Sequence, residues 1–465
     1  MGIRISRFFQ LFRLAISGSE KEFTTGSIDR AIFLLSIPMV LEMVMEGLFA
    51  IVDIFFVSRL GKEATATIGL TEVVLTQVIA LAFGLSMATT AMVSRRIGEK
   101  DREGASIAAV QAIFIGVITC AVIAVIFFFT SADILRLMGG SKELIATGNG
   151  YTRIMLTGSA SVFFLFLNNA IFRGAGDAAI AMRTLWIANG INIILDPLFI
   201  FGIGPFPELG VMGAAVATTT GRSIGVMYQV YHLVNGKSLI QIQRRHLVWV
   251  GDIIVKLLKV SLTGVLQFAM ATASWLFIVR IIALFGDAVV AGYAIGIRII
   301  IFTILPAWGM ASAAATLVGQ NLGANQPERA EQSVWRSAFI NMIFLTSISI
   351  VFLIFAPMVV PLFTPDPLVI EEGVRCLRII CLGYIFYAYG MVIGQAFNGA
   401  GDTVTPTRIN FIAFWILQIP LSYVLSKVLN WGPVGVYWAI AISESSLALI
   451  AIYIFRKGKW KTVKI

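Results

Sequence analysis

The chain has 465 residues, of which 58% are hydrophobic and only 13% charged, with a mean hydropathy of +0.89, whereas a soluble domain carries roughly 25% charged residues. That composition excludes a water-soluble fold, because no globule of this size buries so much apolar surface. The net charge of +10 does not mark a nucleic-acid partner either, since the basic residues gather in short loops and at the C-terminal end instead of along one soluble face.

Residues 1–29 read as an interfacial N-terminal segment. Within it, Ile5 to Ile16 predicts an amphipathic helix on the membrane surface carrying Phe8, Phe9, Leu11 and Phe12, and Gln10 and Arg13 interrupt the apolar run a cleaved signal peptide needs. Twelve spans follow, centred near residues 44, 79, 118, 161, 190, 222, 268, 304, 344, 386, 416 and 444. Apolar stretches such as Ile107 to Thr130 reach the roughly 20 residues that cross a hydrocarbon core of about 30 Å. Six spans form a first lobe, residues 30–235, and six a second, residues 251–455, with a loop at 236–250 and a basic tail at 456–465. The loops after even-numbered spans hold Arg95, Arg96, Lys100 and Arg102, then Lys237, Arg244 and Arg245, then Arg329 and Arg336. Basic loops stay on the cytoplasmic side, so both termini are expected there, in the cell membrane.

The first span carries three acids, each costing at least about 2.5 to 3.5 kcal/mol at the bilayer centre unless it finds a partner or water. On a helix Glu42, Glu46 and Asp53 fall at about 0°, 40° and 20°, one acidic stripe that cannot face lipid. Glu72 follows in span two. Between spans four and five the sequence GAGD ends at Asp177; its glycines permit a sharp turn, and the motif lacks the spacing of a phosphate-binding loop. Asn189, Asn192 and Asp196 lie within about 60° of one another on span five. Pro197 follows Asp196 and frees the carbonyl of Ile193, a polar break that suits a cation or proton site. Arg280, Arg298 and Glu444 are the costly residues of the second lobe, and Arg298 with Glu444 is a plausible ion pair. The cysteines Cys120, Cys376 and Cys381 lie in or beside apolar segments without a CxxC pair and read as packing residues. His232 and His246 read as solvated or interfacial loop residues.

An internal repeat organises all of this. GLSMATTAMVSRRIGEKDREGA from Gly84 matches GMASAAATLVGQNLGANQPERA from Gly309, an offset of 225. The same offset pairs FRGAGD from Phe172 with FNGAGD from Phe397, Leu60–Gly61 with Phe285–Gly286, and Gly210–Val211 with Gly435–Val436. Six spans per copy is an even number, so the copies enter the bilayer in the same direction and are related by an axis along the membrane normal. The predicted fold is therefore an all-α integral membrane protein, with two parallel six-helix lobes around a central cleft that serves as the substrate path. At the same offset Asp53 becomes Ile278, Asn192 becomes Leu417, Asp196 becomes Leu421, Glu42 becomes Gln267 and Thr218 becomes Ser443. The scaffold is doubled, but the candidate coupling chemistry sits in the first lobe.

Pro38 with Asp53 fifteen residues later, Asn192 with Asp196, the two GAGD loops and GVMGAAVAT from Gly210 to Thr218 resemble the multidrug and toxic compound extrusion (MATE) family over essentially the whole chain. The resemblance implies a two-lobed antiporter, not an enzyme, that exports organic cations or other amphipathic compounds in exchange for protons or sodium. It carries the cation site over to Asp53, Asn169, Asn192, Asp196 and Thr218, with Asn168 adjoining Asn169, and makes Pro38 the bending point of span one. Sodium, if it is the coupling ion, would take oxygens of Asp53, Asn192 and Asp196; no other metal and no organic cofactor is implied. Glu42, Glu46, Asn168, Asn189, Gln267 and Tyr387 are the candidates for lining the cavity. NorM-like members place acids where this chain has Gln267 and Tyr387, which favours the DinF-like pattern. Expected partners are the small-molecule substrate and membrane lipid, with no nucleic acid, and the chain is expected to act as a monomer. The alternatives are a flippase for a lipid-linked precursor, which needs cationic residues such as Arg280 and Arg298 in the cleft, and an integral membrane enzyme, for which no nucleophile, base or metal cluster is visible.

Overall fold

The computed structural model describes residues 2–18, 22–235, 238–463 and 465; Lys237, Lys464 and the side chain of Phe8 lie outside that description. Every regular element among the described residues is helical, as lipid demands of a chain whose backbone groups must be satisfied within each segment. Helix α1 (Gly2–Ser17) lies against the start of α2 (Ile28–Val57), with Leu14 and Ala15 packed beside Ile28, Ala31 and Leu35 and with Phe9 exposed. The first lobe continues through α3 (Lys62–Gly98), α4 (Arg102–Leu137), α5 (Lys142–Thr157), α6 (Ser159–Gly174), α7 (Ala178–Phe201) and α8 (Val211–Asn235). The second comprises α9 (Gly251–Ile282), α10 (Asp287–Gly323), α11 (Pro327–Val359), α12 (Pro367–Cys381), α13 (Tyr384–Gly399), α14 (Val404–Asn410), α15 (Ile419–Tyr423) and α16 (Pro433–Arg456).

Local chemistry starts these helices where the sequence changes register. Asp101 caps α4 by accepting from the Gly104 amide at 2.8 Å, and Ser141 caps α5 by accepting from the Leu144 amide at 3.1 Å. Pro327, Pro367 and Pro433 open α11, α12 and α16, positions where a missing N–H costs nothing. The GAGD turns close through Gly176 and Gly401 at φ of 79° and 85°, backbone that favours glycine.

Among the described residues, nine segments are long and apolar enough to cross a membrane, and the bent pair α12–α13 makes a tenth. Helices α2 and α8, of 30 and 25 residues, complete twelve spans. Both ends of α10 lie 225 residues beyond those of α3, so the repeat read in the sequence is a repeat of elements.

The halves meet through their first two spans, α3 against α9 and α10, and α10 against α2. Glycines allow these backbones to approach. A Cβ on Gly84 would fall 2.5 Å from the Ser261 carbonyl oxygen, and one on Gly309 would fall 2.6 Å from that of Met39. At the end of the bundle that holds both termini the contact is closer and again two-fold. A Cβ on Gly98 would fall 2.0 Å from the Gln320 oxygen, and one on Gly323 would fall 2.1 Å from the Arg95 oxygen. The same end is tied by the Phe23 amide donating to Gln320 Oε1 at 3.0 Å, and by Arg95 donating to the carbonyl of Val463 in the tail.

Candidate functional site

The acidic stripe of α2 turns into the first lobe, where other helices bring partners to each carboxylate in turn. Glu42 is 1% exposed and accepts from Asn169 Nδ2 of α6 at 2.9 Å, with the Arg173 guanidinium at 3.6 Å. Asn169 is itself held by Gln229 of α8, whose amide donates to Asn169 Oδ1 at 2.6 Å. Glu46 accepts from Asn189 of α7 at 3.1 Å and faces Arg222 of α8 at 3.7 Å. Arg222 lies 5.3 Å from the centre of the Phe49 ring, so one arginine spends its charge on an acid and its flat face on an aromatic.

Asp53 and Asp196 form the second part of the site. Asn192 donates to Asp196 Oδ1 at 3.3 Å and to Thr218 Oγ1 at 3.0 Å, which ties α7 to α8 at the polar break before Pro197. Asp53 is half-buried, within electrostatic reach of Arg222, Asp196 and Glu72. Several oxygens here have no protein donor: Glu42 Oε2, Asn192 Oδ1 and Asp196 Oδ2 are buried without a hydrogen bond. Oxygens left open in an apolar interior are what a proton or a hard cation would satisfy. Of the predicted set, Asn192, Asp196 and Thr218 are therefore bonded together and Asp53 faces them electrostatically. Asn169 belongs to the neighbouring Glu42 group, and the buried Asn168 has no partner for its Oδ1.

The MatE family model matches residues 38–198 and 261–424, one block in each lobe. The chain belongs to the MatE family. It is 27% identical over 438 residues to the probable multidrug resistance protein NorM of Thermotoga maritima, covering 93% of each chain. It is 25% identical to the FAD transporter of Shewanella oneidensis, over 93% of this chain and 95% of that one. A solved outward-facing structure of a multidrug resistance MATE family transporter of the MOP superfamily superposes with a TM-score of 0.88 at 28% identity, covering 98% of both chains. MatE proteins are membrane transporters and not enzymes.

In this MatE chain two expectations give way. Arg298 and Glu444 do not form an ion pair among the described residues; Arg298 is exposed and within electrostatic reach of Glu72 of α3. His246 is not solvated: it is 2% exposed, accepts from the Gln243 amide at 3.1 Å and meets Glu103 Oε1 at 3.0 Å. With Arg245 also on Glu103 at 2.9 Å, and Gln111 bonded to both Val248 and Val250, the inter-lobe loop is fastened along α4. In the second lobe the side-chain oxygen of Gln267 has no partner, and Tyr387 packs at the edge of the core around Tyr384 and Tyr437.

Sequence reasoning missed Arg173, Arg222 and Gln229. The signals were present: Arg222 stands at the centre of span six, and Arg173 sits in FRGAGD where the second copy has Asn398.

Proposed function

We propose that this MatE transporter is a secondary active antiporter that exports amphipathic drugs or toxins, organic cations among them, in exchange for protons or sodium. The observation that carries the reading is the cluster of Asp196, Asn192 and Thr218 facing Asp53, with open buried oxygens, in the first lobe alone. Membrane carboxylates without a catalytic neighbour are expensive to keep, and ion coupling is the use that accounts for them. The basic loops and tail support a cytoplasmic position for the termini end, and on that reading the glycine contacts at Gly98 and Gly323 are the closed cytoplasmic gate. Protons or sodium entering from outside neutralise Asp53 and Asp196, α2 rearranges about Pro38, and substrate is released. Return to the cytoplasmic-facing state discharges the ion and restores the acidic site. Coupling of this kind needs only that ion and substrate prefer different states.

The relatives' names support drug efflux as the activity. A flippase for a lipid-linked precursor fits less well: Arg280 and Arg298 are exposed and lie outside the cavity between the lobes, and the one arginine that lines it, Arg173, stands beside the buried Glu42 carboxylate at 3.6 Å. The deciding experiment is transport by purified protein in liposomes, with proton and sodium gradients imposed separately across a panel of cationic and amphipathic substrates. Uphill efflux driven by one gradient and lost in Asp53→Asn is expected; normal coupled efflux by Asp53→Asn would sink the proposal.

A further inference from the structure

The segments before α2 and after α16 fold across the end of the bundle where the lobes are closest. Before α2, the Phe23 amide donates to Gln320 Oε1 of α10 at 3.0 Å, and Arg329 of α11 donates to the carbonyls of Phe23, Thr25 and Gly26 at 3.3, 3.0 and 3.0 Å. Glu22 pairs with Arg102 of α4 at 3.0 Å, so this segment joins the first lobe to the second. After α16, Gly458 at a φ of 72° turns the chain back, and Arg95 of α3, in the first lobe, donates to the carbonyl of Val463.

Gln320 and Arg95 hold the same position in the two copies of the repeat, 225 residues apart. Both have a double role. The carbonyl oxygen of Gln320 faces Gly98 and that of Arg95 faces Gly323, which are the contacts that close this end. Their side chains hold the two flanking segments. The holders are equivalent but the held segments are not: the first-lobe counterpart of Val463 is Ser238, in the inter-lobe loop.

The tail is anchored on its own lobe before it reaches across. Four of residues 457–464 are lysine, a charge density that favours water over a packed site unless something specific holds the segment. Trp460 supplies that anchor. It is 1% exposed, its ring lies flat on Phe455 with centres 4.6 Å apart and planes within 10°, and its indole N–H donates to the Phe455 carbonyl at 3.0 Å. Lys461 then meets Glu331 of α11 at 2.6 Å, and Ile465 lies where a Cβ on Gly401 of the second GAGD turn would stand. Because the anchor moves with the second lobe and Arg95 with the first, parting the lobes at this end has to break the Arg95–Val463 bond.

We propose that the tail after α16 is an autoinhibitory strap: anchored by Trp460 and Lys461 and latched by the Arg95 guanidinium, it biases the transporter towards the state closed at this end and must release Arg95 in every cycle. The inference rests on the gate reading above and deepens it, by assigning part of the closed state's stability to a segment outside the spans.

The test reads opening at this end with no gradient imposed. A cysteine replaces Ser312, which lines the cavity between the lobes, and is labelled by a membrane-impermeant maleimide in vesicles with the termini side outward; the native cysteines are buried. Arg95→Met, which keeps the stem and removes the donors, is expected to raise the labelling rate about tenfold, the scale of one charge-assisted hydrogen bond. Arg95→Lys, which keeps a donor, should raise it less. A second measurement does not depend on weakening the fold: in Arg95→Cys/Val463→Cys, a short bifunctional thiol reagent that ties the strap down should abolish gradient-driven efflux, and reductive cleavage should restore it. Wild-type efflux by the bridged protein, or unchanged labelling in Arg95→Met, overturns the proposal. Gly98→Ala in the same reporter separates the two readings. If it raises labelling and Arg95→Met does not, the strap falls and the gate stands; if neither does, the gate falls as well.

Discussion

In the first lobe Asn192 is bonded to Asp196 and Thr218, and Glu42 and Glu46 each meet an amide and an arginine. In the second lobe Leu417, Leu421, Ser443, Gln267 and Ala271 occupy the corresponding positions, and the hydroxyl of Ser443 bonds only to the carbonyls of its own helix. The backbones differ as well. The pair α5–α6 runs as one span through Gly158, whereas α12–α13 is bent by 59°. Helix α7 is α-helical throughout, while its counterpart winds as π-helix over Phe411–Gln418 and Val424–Val428. What both lobes keep is the set of close glycine contacts at the interface. Packing across a two-fold axis has to be satisfied twice, whereas nothing in that packing requires the buried acids of the first lobe, and the corresponding positions of the second are uncharged.

The largest expected effect tests that division directly. Asp196→Asn should cut gradient-driven efflux in proteoliposomes within the about 5- to 150-fold range of a coupling free energy, whereas Leu421→Met, a near-isosteric change, should leave it unchanged. Equal losses from the two would break the contrast between the lobes. Next comes stability. Arg173→Gln leaves Glu42 buried beside Asn169 alone and should cost about 3 kcal/mol in thermal unfolding of the purified protein, with most of the loss recovered by adding Glu42→Gln. The matching change in the second lobe, Asn398→Leu, removes an amide that has no partners and should leave stability unchanged or raised.

The gate should behave symmetrically where the site does not. Gly98→Ala and Gly323→Ala each place a methyl against a facing carbonyl oxygen, at 2.0 and 2.1 Å, and overpacking of that kind costs about 1–3 kcal/mol. Both should raise the labelling of a cysteine introduced at Ser94 from the termini side, and by similar factors; a response from only one would mean that the two contacts do not form a single seal. The smallest effect belongs to the exposed pair Arg336–Asp29, 2.6 Å apart with more than half of each side chain exposed. Asp29→Asn should shift thermal stability by less than about 1 kcal/mol.

Hydropathy, together with the Gly/Pro breaks and the charged loops, determined the twelve spans, since crossing lipid imposes length and apolarity on each segment largely independently of its neighbours. The duplication, the GAGD turns and the single face shared by Glu42, Glu46 and Asp53 were equally legible, because a repeat and a helical period are properties of spacing. Spacing says which face a residue is on and not what stands opposite. That Glu42 meets Arg173 and Asn169, that Glu46 meets Arg222, and that Asn169 leaves the Asp196 group for Glu42 were decided by how α2, α6, α7 and α8 pack. Burial of His246 likewise came from the loop docking along α4, a contact between segments remote in the sequence. The meeting of Arg173 with Asn398 needed the two-fold axis itself: the offset marks them as equivalent, but only close glycine packing between the lobes brings equivalent residues to one cavity.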